Sequence, residues 1–503
     1  MSFRLQFFTY NENFLPFIGS DLCVSSSENI FTIIIGKNGS GKSRALSTIT
    51  NILCSLYVGN KLLKRAHTFP KRFSYGEDFI DCRVINNEVD YLIKLKGRSI
   101  FIDEYYNQQI DNCCPKKLIA VSTSPFDKFP EEYEYFPSYK ESSSNFYSYY
   151  GVGGAPKNRA VKSLIERILF SLIDNPNGGN NHAIMNAMNF LGFQPRFRVS
   201  FRLRHSIEKF MKNLNELDEE KFISFTSDSI KKNIKYFSDK REYSYDKLRE
   251  SFIALNDYYN FKGLSQRNIS FDFNFYNDSP MVEDISFLRK IRVLVDLGIL
   301  SLSDVIIYSD SIDYFDEIIG SESKSAININ DISSGQKCLL LSVLSIAASI
   351  TDDSLVLIDE PEISLHPEWQ ETYIQLLTKS FNSYKGCHFI IATHSPQVIS
   401  NLPKTNCFVS DMETESVISS SEQYHKSADF QLATLFNAPG NENEYLKRLA
   451  INILTLISVN KFDAEKHSFD LSILKQSKTK LDNDDSVKKL IELIETYEGM
   501  VND

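Results

Sequence analysis

The sequence holds a single tryptophan among 503 residues, beside 37 phenylalanines and 25 tyrosines, and it has no excess of positive charge. Lysine and arginine number 55 against 65 acids, a formal charge of −10. That balance excludes a generally basic nucleic-acid coat, though it leaves room for a local basic patch. Eight cysteines occur, at positions 23, 54, 82, 113, 114, 338, 387 and 407, none of them in CxxC spacing. Neither a zinc ribbon nor a thioredoxin-type motif is therefore written here. Cys54, Cys338 and Cys407 lie in apolar runs, where a reduced thiol packs as a small hydrophobe. A disulfide framework is not expected in a chain of this length. Long hydrophobic runs are lacking too: the longest uncharged apolar stretch, Cys338 to Ile350, falls short of the roughly 20 residues that span a bilayer. The opening MSFRLQFFTYNENF has no basic segment followed by an uninterrupted apolar one. The expectation is a soluble, cytoplasmic protein of a reducing compartment, with no membrane partner. With 42% hydrophobic and 24% charged residues, wholesale disorder is excluded. No internal repeat of fixed period is present.

What the sequence does contain is a set of ordered motifs. Asn29 to Ile35 (NIFTIII) is a β-branched run that suits a fully buried parallel strand. Gly36-Lys37-Asn38-Gly39-Ser40-Gly41-Lys42-Ser43 follows, fitting G-x-x-x-x-G-K-[ST], and then comes a helical pattern carrying Leu46, Ile49, Leu53 and Leu56. Strand, glycine loop and helix in that order turn successive N–H groups onto an anion at a helix N-terminus. Candidate nucleotide ligands are Gly36, Asn38, Gly39, Ser40, Gly41, Lys42, Ser43 and Arg44. Lys42 is placed to reach the β- and γ-phosphates of ATP, and Ser43 to hold Mg2+. Far downstream, Ser354 to Ile358 forms an apolar strand that ends in Asp359-Glu360. At the C-terminal edge of a parallel sheet, Asp359 is expected to ligate the metal and Glu360 to position or deprotonate water.

Taken together, GKNGSGKS, then Ile332-Ser333-Ser334-Gly335-Gln336, then LVLIDEP, then Thr393-His394-Ser395 resemble the ordered motifs of an ABC-type ATPase. The resemblance implies that Ser333, Ser334, Gly335 and Gln336 form the signature, with Ser334 in place of the first glycine. The signature would cap the γ-phosphate bound by a second protomer, and His394 would be the switch histidine. Lys42, Glu360 and His394 are thus the candidate catalytic residues. The 316 residues between Ser43 and Asp359 require an insertion, as in the Rad50/SMC, RecF and OLD-like ATPases. Glu362-Ile363-Ser364-Leu365-His366-Pro367 is similar to the continuation found in OLD/RecF-like members, which adds His366 as a further candidate near the composite site. STSPFDKF (122–129), SADFQLATLF (427–436) and NENEYLKRLA (441–450) are similar to ATPase subunits of Septu-type and retron-associated anti-phage systems. That likeness implies a homodimer or higher assembly and an HNH-type nuclease subunit. It also implies DNA, or retron RNA/DNA with its reverse transcriptase, as further partners.

The expected fold is α/β, an ABC-type P-loop head with a large, mainly helical insertion and a helical tail. Its segments are 1–124 (head, N-terminal part), 125–326 (insertion), 327–410 (head, C-terminal part) and 411–503 (helical region). The Tyr-, Ser- and Gly-rich stretch 131–155 reads as a loop, and Ser122–Asp127 as the bridge between lobes, without the usual glutamine. Within the insertion Arg196, Arg198, Arg202 and Arg204 alternate with Phe197, Val199, Phe201 and Leu203, so one strand face is basic. Such a face either grips phosphates or an acidic partner, or keeps an exposed sheet edge soluble. Asp482 and Asp484 sit in a charged run, KTKLDNDDS, which reads as a solvated loop, so no nuclease site is expected in the chain itself. Two other functions fit the same motifs: a RecF-like DNA repair clamp, and a nucleotide-locked scaffold that sequesters a toxic partner.

Overall fold

The computed structural model describes residues 2–10, 13–19, 27–61, 79–86, 89–96, 99–102, 113–124, 126–132, 146–151, 157–174, 178–203, 245–262, 268–276, 285–310, 326–423, 426–459 and 461–502. The β-branched run before the phosphate loop is β3 (Ile30–Ile35), buried along its whole length. It joins β7 (Lys117–Ser122), β8 (Tyr147–Tyr150), β13 (Ser354–Asp359), β14 (His388–Ala392), β15 (Cys407–Asp411) and β16 (Ser416–Ser419). The sheet order is β16-β15-β3-β14-β13-β7-β8, parallel throughout except for the β15–β16 hairpin. Parallel strands covered on both faces carry continuous apolar runs, which is why IFTIII and SLVLID show no polar alternation.

Side chains alternate across a strand, so the sheet feeds two cores. Phe31, Ile33 and Ile35 point to one face and Ile34 to the other. The second face packs on α1 (Lys42–Lys61), through Leu46, Ile49 and Leu53, and on an antiparallel sheet ordered β2-β1-β4-β5-β6. Those strands are β1 (Phe3–Tyr10), β2 (Asn13–Pro16), β4 (Phe79–Asn86), β5 (Val89–Lys96) and β6 (Ser99–Ile102). Buried polar groups pin this joint. The Arg4 guanidinium donates to the carbonyls of Gly386 at 2.9 Å, of Cys387 at 3.1 Å, and of Glu28. His388 Nδ1 accepts from the Leu5 N–H at 3.2 Å, and its Nε2 lies 3.0 Å from Thr32 Oγ1. The Thr32 hydroxyl donates to Phe17 O, so Nε2 carries the proton and the buried ring is neutral.

The first face packs on α6 (Ser334–Ala347) and α7 (Pro367–Ser380), and its core continues without a break into the insertion. There β9 (Phe193–Leu203) lies between β10 (Asn268–Asn274) and β11 (Leu300–Ser309), with β12 (Ala326–Asn328) beyond. Helices α2 (Lys157–Asp174), α3 (Gly178–Phe190), α4 (Tyr245–Lys262) and α5 (Ile285–Asp296) complete it. The insertion thus contains a four-stranded antiparallel sheet besides its helices, where the sequence showed a single strand. Its Phe197, Val199, Phe201 and Leu203 are buried as the alternation requires.

The head sheet also reaches further than the expected segment ends at 124 and 410. Residues 147–150, read as part of a loop, form a buried edge strand. Aromatic side chains favour strands, and here the Tyr147 hydroxyl donates to Pro130 O at 2.8 Å while that of Tyr150 meets Ser349 Oγ at 2.6 Å. Strands β15 and β16 carry the sheet past 410 on the other side. Downstream of α8 (Pro396–Ser400) and α9 (Ser420–Gln423) come α10 (Ala428–Thr434), α11 (Glu444–Ser458), α12 (Ser468–Lys478) and α13 (Ser486–Asn502), which share a small core around Leu446, Ile453, Leu474 and Ile491. Among the described residues no helix is long and apolar enough to cross a membrane.

Candidate active site

The C-terminal ends of β3, β13 and β14 deliver the expected residues to one place. Gly39 and Gly41 take φ of +83° and +106°, values that suit glycine alone and let the loop turn into α1. Ser43, in the first turn of α1, has its hydroxyl donating to Asp359 Oδ1 at 3.0 Å. Lys42 Nζ donates to Gly36 O at 2.8 Å and lies 3.2 Å from His394 Nδ1. His394 Nε2 stands 3.9 Å from Glu360 Oε1. Glu360 itself adopts φ +50°, a left-handed conformation that costs a non-glycine residue about 1–2 kcal/mol. Its backbone is held there by Ala392 O, which accepts from the Glu360 N–H at 2.9 Å, and by the Thr123 hydroxyl, which donates to Glu360 O at 3.0 Å. Strain sustained at a strand end is a mark of functional sites.

Burial and charge act against each other in this cluster. Asp359 is 2% exposed, and burial pushes its carboxyl up to about 7, with the Ser43 hydroxyl opposing and the Glu360, Asp127 and Glu362 carboxylates adding. Burial lowers the Lys42 ammonium to about 8, against the pull of Glu362, Glu360, Asp359 and Glu413. Burial and then the neighbouring Lys42 lower His394, which Glu360 partly offsets. A divalent cation beside Asp359 would relieve this proton affinity. Ser43 and Asp359 offer two hard oxygens, and Mg2+ takes one or two carboxylates with phosphate and water making up the rest. No group of three or more His, Cys, Asp or Glu among the described residues could hold a metal unaided. The donor set therefore fits a metal that comes with its nucleotide.

The signature residues are built separately. Ser333 caps α6 in a reciprocal box: the Gln336 N–H donates to Ser333 Oγ at 3.2 Å, and the Ser333 N–H to Gln336 Oε1 at 3.3 Å. A Cβ on Gly335 would come within 2.8 Å of Ser364 O and of the Trp369 ring, so the first turn of α6 is pressed onto the start of α7. Ser333, Ser334 and Gly335 open onto a cavity of about 660 Å3 shared with His366. His366 caps α7, its Nδ1 accepting from the Glu368 N–H at 3.4 Å, and it stands with the signature rather than with the phosphate loop. Asn38 and Arg44 are exposed beside that loop.

Three residues the sequence left unassigned border the site. Glu413, in the β15–β16 turn, accepts from the Lys37 N–H at 3.1 Å and pairs with Lys37 Nζ at 2.6 Å. Asp127 accepts from the Tyr149 hydroxyl at 2.9 Å. Glu362 Oε1 accepts from the His394 N–H at 2.6 Å. Glu362 had a local signal, as a third acid after the strand end, and Asp127 closes the segment 122–127 read as the bridge between lobes.

β9 is central, between β10 and β11, so the reading of the arginine strand as an exposed sheet edge does not hold. Arg198 pairs with Asp272 at 2.7 Å, Arg196 donates to Gln194 Oε1 at 2.8 Å with its guanidinium 4.3 Å from the Tyr308 ring centroid, and Arg202 donates to Asn268 Oδ1 at 3.2 Å. Arg204 lies outside the described residues. Asp482 accepts from the Asn441 side chain at 2.7 Å, between α12 and α13.

Comparison with known proteins bears on this arrangement. Residues 193–400 match the family described as "AAA domain, putative AbiEii toxin, Type IV TA system". The "Retron Ec83 probable ATPase" of Escherichia coli is 31% identical over 104 residues, which cover 18% of this chain and 19% of that protein. The "Retron Vc95 probable ATPase" of Vibrio cholerae serotype O1 biovar El Tor is 24% identical over 405 residues, or 76% of this chain and 69% of that one. Among solved structures, the SMC head domain from Thermotoga maritima aligns at 11% identity and a TM-score of 0.31, over 83% of this chain and 98% of that one. The chain has an α/β P-loop head, resembles an AAA domain over residues 193–400, and is similar to the probable ATPases of retrons.

Proposed function

We propose that this chain binds and hydrolyses ATP as a homodimer, or within a higher assembly, and that turnover regulates a partner nuclease in anti-phage defence. The observation that carries the reading is the convergence of Lys42, Ser43, Asp359, Glu360 and His394 at three adjacent strand ends. The likeness to two retron ATPases supports the defence setting. In this reading residues 36–44 cradle the triphosphate, with Lys42 leaving Gly36 O to meet the β- and γ-phosphates. Ser43 and Asp359 would hold Mg2+, which neutralises charge developing on the phosphoryl oxygens. Glu360 accepts the proton of the attacking water, and His394 faces the γ-phosphate.

The signature supplies the other half from a second protomer. Ser333 and Gln336 bond to each other, and Ser333, Ser334 and Gly335 open outward onto a cavity, so the turn is free to cap a nucleotide held by another copy. The head is then one unit assembled from both ends of the chain. The insertion shares its core and would pass closure on to the partner, an HNH-type nuclease subunit. DNA, or retron RNA/DNA with its reverse transcriptase, would be further partners in the cytoplasm. Arg196 and Arg202 are the candidate contacts on the insertion.

The test is ATP turnover by the purified chain and by Lys42→Ala and Glu360→Gln, followed by co-expression with adjacent reading frames and native mass measurement of what copurifies. Full ATPase activity in either variant contradicts the assignment.

A further inference from the structure

Glu362 is an acid of this cluster without a role so far. It lies three residues beyond the end of β13, and its side chain turns back toward the histidine loop. Oε1 accepts from the His394 N–H at 2.6 Å, a charge-assisted bond across 32 residues of sequence. Burying a carboxylate is costly unless it is hydrogen-bonded. Burial pushes the Glu362 carboxyl above the ordinary range, opposed by the His394 N–H, by its own N–H and by the Thr393 hydroxyl. Two of those donors belong to the loop after β14, so the carboxylate is bonded to the segment that carries His394.

We propose that Glu362 is a positioning residue of the ATPase site, fixing the histidine loop by accepting the His394 N–H. The inference rests on the ATPase reading above. Glu362→Gln keeps an oxygen to accept that N–H. Glu362→Ala removes it. Without the hydrogen bond, the histidine drifts, and a misplacement of about 1 Å can cost about 100-fold in rate.

The experiment measures steady-state ATPase kinetics for the wild type, Glu362→Ala, Glu362→Gln, His394→Ala and the Glu362→Ala/His394→Ala double variant. Binding of a non-hydrolysable ATP analogue is followed alongside. The expected result has four parts. Glu362→Ala lowers kcat about 100-fold with little change in KM. Glu362→Gln recovers most of that loss. The double variant is no slower than His394→Ala alone. Both Glu362 variants bind the analogue as the wild type does. A full additive loss in the double variant, a Glu362→Gln as slow as Glu362→Ala, or analogue binding that falls in step with kcat overturns the positioning role. If the wild type itself fails to turn over ATP, the ATPase reading has failed; if it turns over and the Glu362 variants match it, only this inference has.

Discussion

The phosphate loop and the signature turn are both helix starts with a glycine at their centre, yet they are held in opposite ways. The phosphate loop leans on distant chain: Lys42 meets His394 across 352 residues, Ser43 meets Asp359 across 316, and Lys37 meets Glu413 across 376. The signature closes on itself within three residues, Ser333 with Gln336, and its Gly335 is pressed against Ser364 and Trp369, just before and within the start of α7. One is a site whose chemistry is assembled by the fold of a single chain. The other is a self-satisfied cap left facing outward. That difference is what a composite site requires, because the half that docks must be finished before its partner arrives.

Substitutions that separate the two halves sharpen this contrast. Glu360→Gln has the largest expected effect, a loss of about 100- to 10,000-fold in turnover, the usual contribution of a general base, with ATP still bound. Lys42→Ala should weaken ATP binding itself by about 100-fold, since bonds to charged groups are worth about 1.5–3 kcal/mol each; equilibrium binding checks it. Gly335→Ala forces Ser364 and the Trp369 ring to move. It should lower turnover about 10- to 100-fold while leaving ATP affinity of the isolated chain as it was. Equal damage to affinity would show that the signature belongs to the same chain's site and would break the contrast. Ser333→Ala removes only the cap, about 1 kcal/mol of helix stability, visible as a small drop in melting temperature.

The smallest effect concerns the scaffold below β3. His388 is buried neutral, its pKa driven well below 6.5 by burial and then by Arg4. A base depressed in the folded state binds more protons when unfolded, so its stabilisation is complete above about 6.5 and is lost as pH falls toward the folded value. Melting temperature should therefore decline from pH 7 to pH 5, and His388→Ala should flatten that decline.

The contrast also explains what was legible in the sequence. Phosphate loop, signature and acidic strand end are short patterns that carry their chemistry locally, and the buried runs of β3 and β13 announced a parallel sheet. Side chains brought from far away left no such trace. Glu413 sits in the β15–β16 turn, where nothing in the local sequence pointed to Lys37. Tyr147–Tyr150 looked like a loop because its burial comes from Pro130 and Ser349 rather than from its own pattern. The alternation at Arg196–Arg202 correctly placed the apolar face inward. It could not show that β10 and β11 flank the strand, since pairing with Asp272 and Asn268 spans 74 and 66 residues.

The central claim is that ATP joins one chain's phosphate loop to another's signature. Native mass measurement of Glu360→Gln, with and without Mg2+ and ATP, tests it most directly. The account predicts that the mass doubles, or rises to a higher even multiple, only when ATP is present, and that Gly335→Ala in the same background prevents the change. A protein that binds ATP at unchanged mass would contradict it.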